Sequence, residues 1–167
     1  MKQQKGLILI ELIMTLVLIG IIATFTGFFI FNGINGYLKA KYITNGALDA
    51  QRALERISLE LRYIEYFTSA PVESPAPDAS LTYKNTDLTG TRTFRYDSNN
   101  KVILIGTAGS EQPLLENVDT LTLKLKYLDV NGDGSNEVKQ IHVGFTIDGI
   151  GKRFQTRVFP RNLVPEF

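Results

Sequence analysis

Hydrophobic residues are concentrated in one unbroken stretch near the start of the chain. Residues 7–31 contain a single charged side chain, Glu11, and otherwise only apolar residues, glycine and threonine. Folded as a helix that rises about 1.5 Å per residue, this stretch would be roughly 37 Å long, and bilayer hydrocarbon is about 30 Å thick. The pattern therefore predicts a helix that spans a membrane.

An amphipathic pattern follows the apolar stretch. Residues 32–36 are rich in glycine and asparagine, which interrupt helix propensity and predict a bend. Beyond the bend, apolar residues recur at alternating spacings of four and three, as on one face of a helix. They are Ile43, Ala47, Ala50, Leu54, Ile57, Leu61 and Ile64. We expect an amphipathic helix over residues 32–68 that ends near Phe67 or Thr68, because three prolines lie within the next ten residues.

The charged residues of this second helical segment are expected on its other faces. Asp49 with Arg52, and Arg56 with Glu60, have the spacing of ion pairs on a solvated helical flank. The apolar stripe alone is what ordinary core packing requires. The pattern therefore predicts a helix that lies on a sheet with its charges in water.

The remaining residues, 69–167, have the patterns of β-strands. Strict alternation predicts half-buried antiparallel strands at residues 121–127, 141–147 and 154–158. Shorter β-prone runs cover residues 81–84, 91–96 and 102–105, and a hairpin connection lies between the last two. The fold class predicted is α+β. A long N-terminal helix, with a membrane half and an amphipathic half, packs on a small antiparallel β-sheet.

Composition and charge exclude several classes of protein. Of the 167 residues, 18 are Lys or Arg and 17 are Asp or Glu, so there is no basic excess of the kind that neutralises nucleic-acid phosphates. The chain has no cysteine, which excludes thiolate chemistry. The one histidine, His142, lies in a predicted strand and alternates away from the apolar face, and no catalytic motif is present. We expect neither an enzyme nor a nucleic-acid-binding protein.

The tip that precedes the apolar stretch is basic. Lys2 and Lys5 occur without an acid, so the positive-inside rule predicts a cytoplasmic N-terminus and export of everything after residue 31. A conventional secretory signal is the alternative. Its apolar core is usually only about 7–15 residues long and ends in a small-x-small cleavage site. Residues 26–29 do not offer that site.

The segment Lys5-Gly6-Leu7-Ile8-Leu9-Ile10-Glu11 and the apolar helix after it resemble the prepilin-type (class III) signal of type IV pilins and type II secretion pseudopilins. The resemblance implies that residues 1–6 are a leader, that prepilin peptidase cleaves between Gly6 and Leu7, and that Leu7 is then N-methylated. Glu11 matches the acid that recruits a subunit into the filament. Cleavage would place a new amine at Leu7 one helical turn before Glu11, and the two charges could pair in an apolar medium.

The resemblance also implies partners and a location. The partners are prepilin peptidase, other pilins or pseudopilins that pack through the N-terminal helix, and the assembly platform of the inner membrane. The chain would be a single-pass inner membrane protein, with its globular domain in the periplasm or outside the cell, and would enter a filament on assembly. A looser resemblance of residues 51–57 and of the final Arg-Asn to the PilW-like and J-type pseudopilin group implies a minor subunit.

This sequence departs from the family pattern at two points. The first mature residue would be Leu7, where the family more often has phenylalanine. The apolar stretch contains Gly20 and Gly27 but no proline, unlike pilins whose helix melts during assembly.

A loop between two alternating strands has part of the pattern of a calcium site. Oxygen-bearing side chains occur at alternate positions, Asp129, Asn131 and Asp133, and Glu137 follows. An EF-hand would need a glutamate where this chain has Gln140, and helices instead of strands on either side. Two interpretations stay open, a non-EF calcium loop formed by these four residues or a plain β-turn, because Asn-Gly and Asp-Gly are common hairpin dipeptides. No other cofactor is expected.

Two function classes follow from the sequence. The first is a minor pilin or pseudopilin, processed by prepilin peptidase and assembled into, or initiating, a type IV pilus or a type II secretion pseudopilus. The alternative is a single-span, membrane-anchored binding or sensor module outside the cytoplasm.

Overall fold

The computed structural model of the protein describes residues 4–76, 78–129, 131–132, 134–162 and 164–165, with side chains from Leu9 onward. Within these ranges one long helix precedes eight strands. The helix is α1 (Gln4–Arg62), and the strands are β1 (Ile64–Phe67), β2 (Ser80–Asn85), β3 (Thr91–Asp97), β4 (Val102–Thr107), β5 (Ser110–Leu115), β6 (Val118–Leu128), β7 (Glu137–Ile147) and β8 (Arg153–Val158). The chain divides into two compact units, Met1–Thr44 and Asn45–Phe167.

The first unit is helical, and its apolar side chains are uncovered. Every described side chain from residue 9 to residue 44 is exposed, and Phe29 reaches 80%. The glycine and asparagine residues at 32–36 do not interrupt α1, which stays helical through them, so the bend expected there stays a prediction. Glycine and asparagine each cost a helix no more than about 1 kcal/mol, which the well-formed turns on either side can support.

The second unit begins with the part of α1 that has a buried face. Ala50, Ile57 and Leu61 of the predicted stripe are fully buried, Ala47 and Leu54 are half-buried, and Ala53, which lay outside the predicted stripe, is also buried. The predicted apolar stripe does not extend as far as Ile43, which is exposed.

The helix ends at Arg62, so the predicted end near Phe67 or Thr68 was wrong. Residues Ile64–Phe67 form β1 instead and pair with β2, where Phe67 lies opposite Tyr83. The isoleucine and aromatic residues of this segment favour extended backbone. A neighbouring strand supplies their hydrogen bonds and buries Ile64 and Phe67. Tertiary pairing has therefore overridden the helical spacing.

The strands form two antiparallel sheets. One has five strands in the order β1-β2-β3-β4-β5, and the other has three in the order β6-β7-β8. The α+β class and the antiparallel arrangement are confirmed, although there are two sheets where one was expected. Each of the six predicted strands overlaps an observed one, and the hairpin at residues 97–100 is confirmed because Asp97 pairs with Val102 across it.

The core is one cluster that joins the buried face of α1 to both sheets. Its largest fully buried side chains include Tyr83 and Phe94 from the larger sheet and Phe145 from the smaller one. Phe145 also stacks on Phe154 of β8, with ring centroids 5.9 Å apart. The core therefore lies between the helix and the inward faces of both sheets.

Candidate functional site

The residues of the predicted processing site lie in the first turns of α1. Residues 1–3 of the leader are outside the described residues, whereas Gly6 and Leu7 have helical backbone. Leu7 precedes Glu11 by four residues, so their backbone positions are about one helical turn apart on α1. Glu11 is exposed beside Ile10 and Met14, and no cation lies within 4.0 Å of it in the described part of the chain.

Polar side chains in the apolar stretch hydrogen-bond to their own helix. The hydroxyls of Thr15, Thr24 and Thr26 donate to backbone carbonyls three or four residues earlier, at 2.8–2.9 Å. The Asn32 amide donates to the carbonyl of Phe28 in the same way, at 2.9 Å. Hydrocarbon offers no hydrogen-bond partner, so a membrane helix must satisfy such groups internally. By its length and its apolar surface, α1 could span a membrane.

The predicted calcium loop is a turn organised by Asp129. One carboxylate oxygen of Asp129 accepts the backbone N–H of Gly132 at 2.6 Å, and the other accepts that of Gly134 at 3.0 Å. Both glycines have φ between 77° and 89°, a left-handed conformation that other residues rarely adopt. The structure thus brings the predicted aspartate into the turn, where backbone amides already contact both of its oxygens.

Two of the other three predicted calcium ligands are among the described residues. Asn131 is exposed in the turn, and Glu137 is buried in β7 opposite Leu128. Asp133 lies outside the described residues. The described residues contain no group of three acidic or histidine side chains that could hold a metal ion. Calcium binding stays a prediction.

A buried polar cluster joins the last turns of α1 to the larger sheet. Glu60 is only 3% exposed, and its Oε1 accepts the hydroxyl of Tyr83 at 2.9 Å and Nε of Arg92 at 2.6 Å. Its Oε2 forms an ion pair with Nη2 of Arg56 at 3.3 Å, and its backbone carbonyl accepts the Asn85 amide at 2.7 Å. One carboxylate therefore fixes the helix against β2 and β3.

The cluster raises the pKa values of two of its members, Tyr83 and Arg92. Burial, reinforced by the negative charge of Glu60, raises the pKa of the Tyr83 hydroxyl, which therefore stays protonated. The hydrogen bond to Glu60 raises the pKa of Arg92. The Glu60 carboxylate is surrounded by one neutral donor, Tyr83, and two cations, Arg56 and Arg92, and none of the three is a nucleophile. The cluster is suited to positioning the helix on the sheet.

Sequence reasoning missed this cluster, because Glu60 was expected on a solvated flank. The ion pair of Asp49 with Arg52 does lie in solvent, at 3.2 Å, as expected. The signal for Glu60 was present, since Ala53, Ile57 and Glu60 follow the spacing of four and three that marks the buried face. A charged residue at such a position indicates a buried partner elsewhere in the chain.

Comparisons with known proteins do not assign a family or a function to this chain. No protein-family model, no curated protein and no solved structure matches the chain. A function must therefore be supported by the N-terminal motif, the fold and the contacts described above.

Proposed function

We propose that the chain is a minor pilin or minor pseudopilin, a subunit processed by prepilin peptidase and assembled into, or initiating, a type IV pilus or a type II secretion pseudopilus. The observation that carries this proposal is the segment of residues 5–11 at the head of an apolar helix. The exposed apolar side chains of residues 9–44 also support it, because such a surface requires covering by lipid or by other helices.

Membrane insertion is the first step of the proposed mechanism. The apolar part of α1 enters the inner membrane with its basic tip in the cytoplasm, and the second unit is exported to the periplasm. The internal hydrogen bonds of Thr15, Thr24, Thr26 and Asn32 keep the cost of that insertion low.

Cleavage between Gly6 and Leu7 is the second step. It removes the leader and leaves an amine on Leu7, which the peptidase then methylates. The amine is one helical turn from Glu11 on the same face. Two unpaired charges in an apolar medium are costly, so the amine and the carboxylate favour an arrangement in which they meet.

Packing into the filament is the third step. Glu11 of one subunit neutralises the Leu7 amine of a neighbour, which sets the axial register between their helices. Register selection is the best-attested use of a buried polar group among apolar helices. The exposed apolar side chains of α1 exchange lipid for neighbouring helices at the assembly platform.

Co-expression with a prepilin peptidase tests the proposal. We expect the intact mass of the purified chain to fall by the six-residue leader and to rise by one N-methyl group on Leu7. Gly6→Val should block the cleavage. Gly27→Val is the matched control and should be processed normally, because a side chain at Gly27 meets nothing within 4 Å. An uncleaved wild-type chain would contradict the proposal and favour the membrane-anchored binding or sensor module.

The role of Glu11 is tested separately. Glu11→Ala should be cleaved as efficiently as the wild type but should be depleted from filaments sheared from cells. Glu65→Ala, which removes an exposed acid in β1, should leave incorporation unchanged. Normal incorporation of Glu11→Ala would overturn the proposed register role without affecting the assignment to the family.

A further inference from the structure

The face of the smaller sheet that points away from the core is basic. On the core side, Ile141, Val143 and Phe145 of β7 are buried, so the residues between them point outward. We call the outward side the basic face and define it by its five basic residues. They are Lys124 and Lys126 of β6, His142 of β7, and Arg153 and Arg157 of β8.

Contacts across the sheet confirm which side chains share this face. The hydroxyls of Thr120 and Thr146 hydrogen-bond across β6 and β7 at 2.7 Å. In β8, Thr156 contacts Ser58 of α1 at 3.2 Å, so its neighbours Gln155 and Arg157 point the other way. The guanidinium of Arg153 lies over Gly144, only 3.2–3.3 Å from where a Cβ would be.

The pairing register brings three basic side chains into one row. Lys124 lies directly opposite His142, and His142 lies directly opposite Arg157. Residues paired in this way have Cβ atoms about 4.5–5.5 Å apart. Lys124 and Arg157 therefore lie about 10 Å apart on either side of His142, close enough for one anionic surface to contact both.

The charges of the basic face have no counter-charges. In the described part of the chain, no carboxylate lies within 4.0 Å of Lys124, Lys126, Arg153 or Arg157. By contrast, Lys101 pairs with Asp119 and Asp148 at 3.6–3.7 Å. The Nε2 atom of His142 is buried and has no hydrogen-bond partner among the described residues. A surface evolved only for solubility would mix both signs of charge.

The side chains between the charges indicate what kind of anion fits. Three rows of the face run across all three strands, Thr120-Thr146-Arg153, Thr122-Gly144-Gln155 and Lys124-His142-Arg157, and Lys126 pairs with Gln140 beyond them. These strand positions contain no large apolar side chain to insert among lipid headgroups and no aromatic ring on which bases could stack, and the exposed Phe159 lies just past the end of β8. They do contain hydroxyl, amide and guanidinium groups, which hydrogen-bond to carboxylates.

We infer that the basic face binds a carboxylate-rich surface of another protein. Arginine recognises a carboxylate through two parallel hydrogen bonds, and the row of Lys124, His142 and Arg157 spans three strands, which is wide enough for several carboxylates. This inference goes beyond filament assembly, since it assigns a ligand chemistry to the second unit. It holds whether or not residues 1–6 are removed.

Binding to a fluorescein-labelled hexaglutamate peptide tests the inference. The full-length chain in detergent should raise the anisotropy of the peptide at low salt, and sodium chloride should weaken the binding. Lys124→Glu with Arg157→Glu should bind hexaglutamate at least roughly tenfold more weakly and should gain binding to hexalysine. Lys84→Glu with Arg95→Glu, which reverses the same number of charges on the larger sheet, should bind like the wild type.

A neutral variant and its melting temperature show whether a loss of binding comes from misfolding or from the loss of the basic side chains. Lys124→Gln with Arg157→Gln neutralises two exposed side chains, so the melting temperature should stay close to that of the wild type while hexaglutamate binding weakens. Hexaglutamate should raise the melting temperature of the wild type but not of this variant. Equal binding by wild type and charge-reversed chain, or tighter binding to a short DNA duplex or to phosphatidylglycerol vesicles, would overturn the inference.

Discussion

The two units of the chain differ in whether the apolar side chains of α1 are buried. Ile19 in the first unit is 63% exposed, whereas Ile57 in the second is fully buried, although both lie on α1. Helical hydrogen bonds are local, so the helix itself forms in either setting. Burial depends on what lies beside the helix, and only the second unit supplies it from within the chain.

Polar groups show the same difference. In the first unit, threonine and asparagine side chains bond back to their own helix and need no partner. In the second unit, Glu60 bonds to residues more than twenty positions away, on β2 and β3. Polar groups of the first unit are therefore satisfied within its own helix, whereas the Glu60 cluster of the second unit depends on partners distant in sequence.

Removal of the Glu60 carboxylate should lower the stability of the second unit more than the other substitutions do. Glu60→Ala leaves Arg92 without its counter-charge and the Tyr83 hydroxyl without an acceptor. We expect the free energy of unfolding to fall by about 3–5 kcal/mol, as for other broken buried ion pairs. Urea unfolding in detergent, followed by the near-ultraviolet circular dichroism of tyrosine, measures the loss. Glu55→Ala, an exposed acid on the same helix, should change it by less than about 0.5 kcal/mol.

Truncating one isoleucine in each unit tests whether the two units differ in the burial of apolar side chains. Ile57→Ala should lower the free energy of unfolding by about 2–5 kcal/mol, because it opens a cavity in the core. Ile19→Ala should leave the same urea transition within about 0.5 kcal/mol, since the side chain touches no core residue. A comparable loss in both variants would show that the two units do not differ as described.

The smallest of these effects concerns Tyr83. Tyr83→Phe removes one buried hydrogen bond and should cost about 1 kcal/mol at neutral pH. Because folding raises the pKa of Tyr83, the folded state holds the proton more tightly, and its stabilisation is lost as pH rises above the unfolded value of about 10. Stability measured from pH 8 to pH 11 should thus fall more steeply in the wild type than in Tyr83→Phe.

Periodicity was sufficient to predict the helix and six of the eight described strands. It failed at β1, because Ile64 continues the helical spacing of Ile57 and Leu61, and only pairing with β2 decides the outcome. It also missed β5, where Pro113 argues against a strand but is tolerated because β5 is an edge.

Features that depend on distant residues could not be predicted in the same way. Arg92 reaches Glu60 across 32 positions of sequence, and no local pattern records that contact. The basic face depends on the register of β6, β7 and β8, which places Lys124, His142 and Arg157 in one row. Alternation shows that each residue points outward but does not show which residues are neighbours.

Cysteine labelling in intact membranes tests most directly whether the first unit is covered by lipid. The chain has no cysteine, so Ile19→Cys, Glu55→Cys and Ala53→Cys each give a single reporter. A membrane-impermeant maleimide added to spheroplasts should label Glu55→Cys at once, Ile19→Cys only after detergent dissolves the membrane, and Ala53→Cys only after unfolding, because a thiol in hydrocarbon or in a core does not form the reactive thiolate. Labelling of Ile19→Cys as fast as Glu55→Cys in intact spheroplasts would contradict the account.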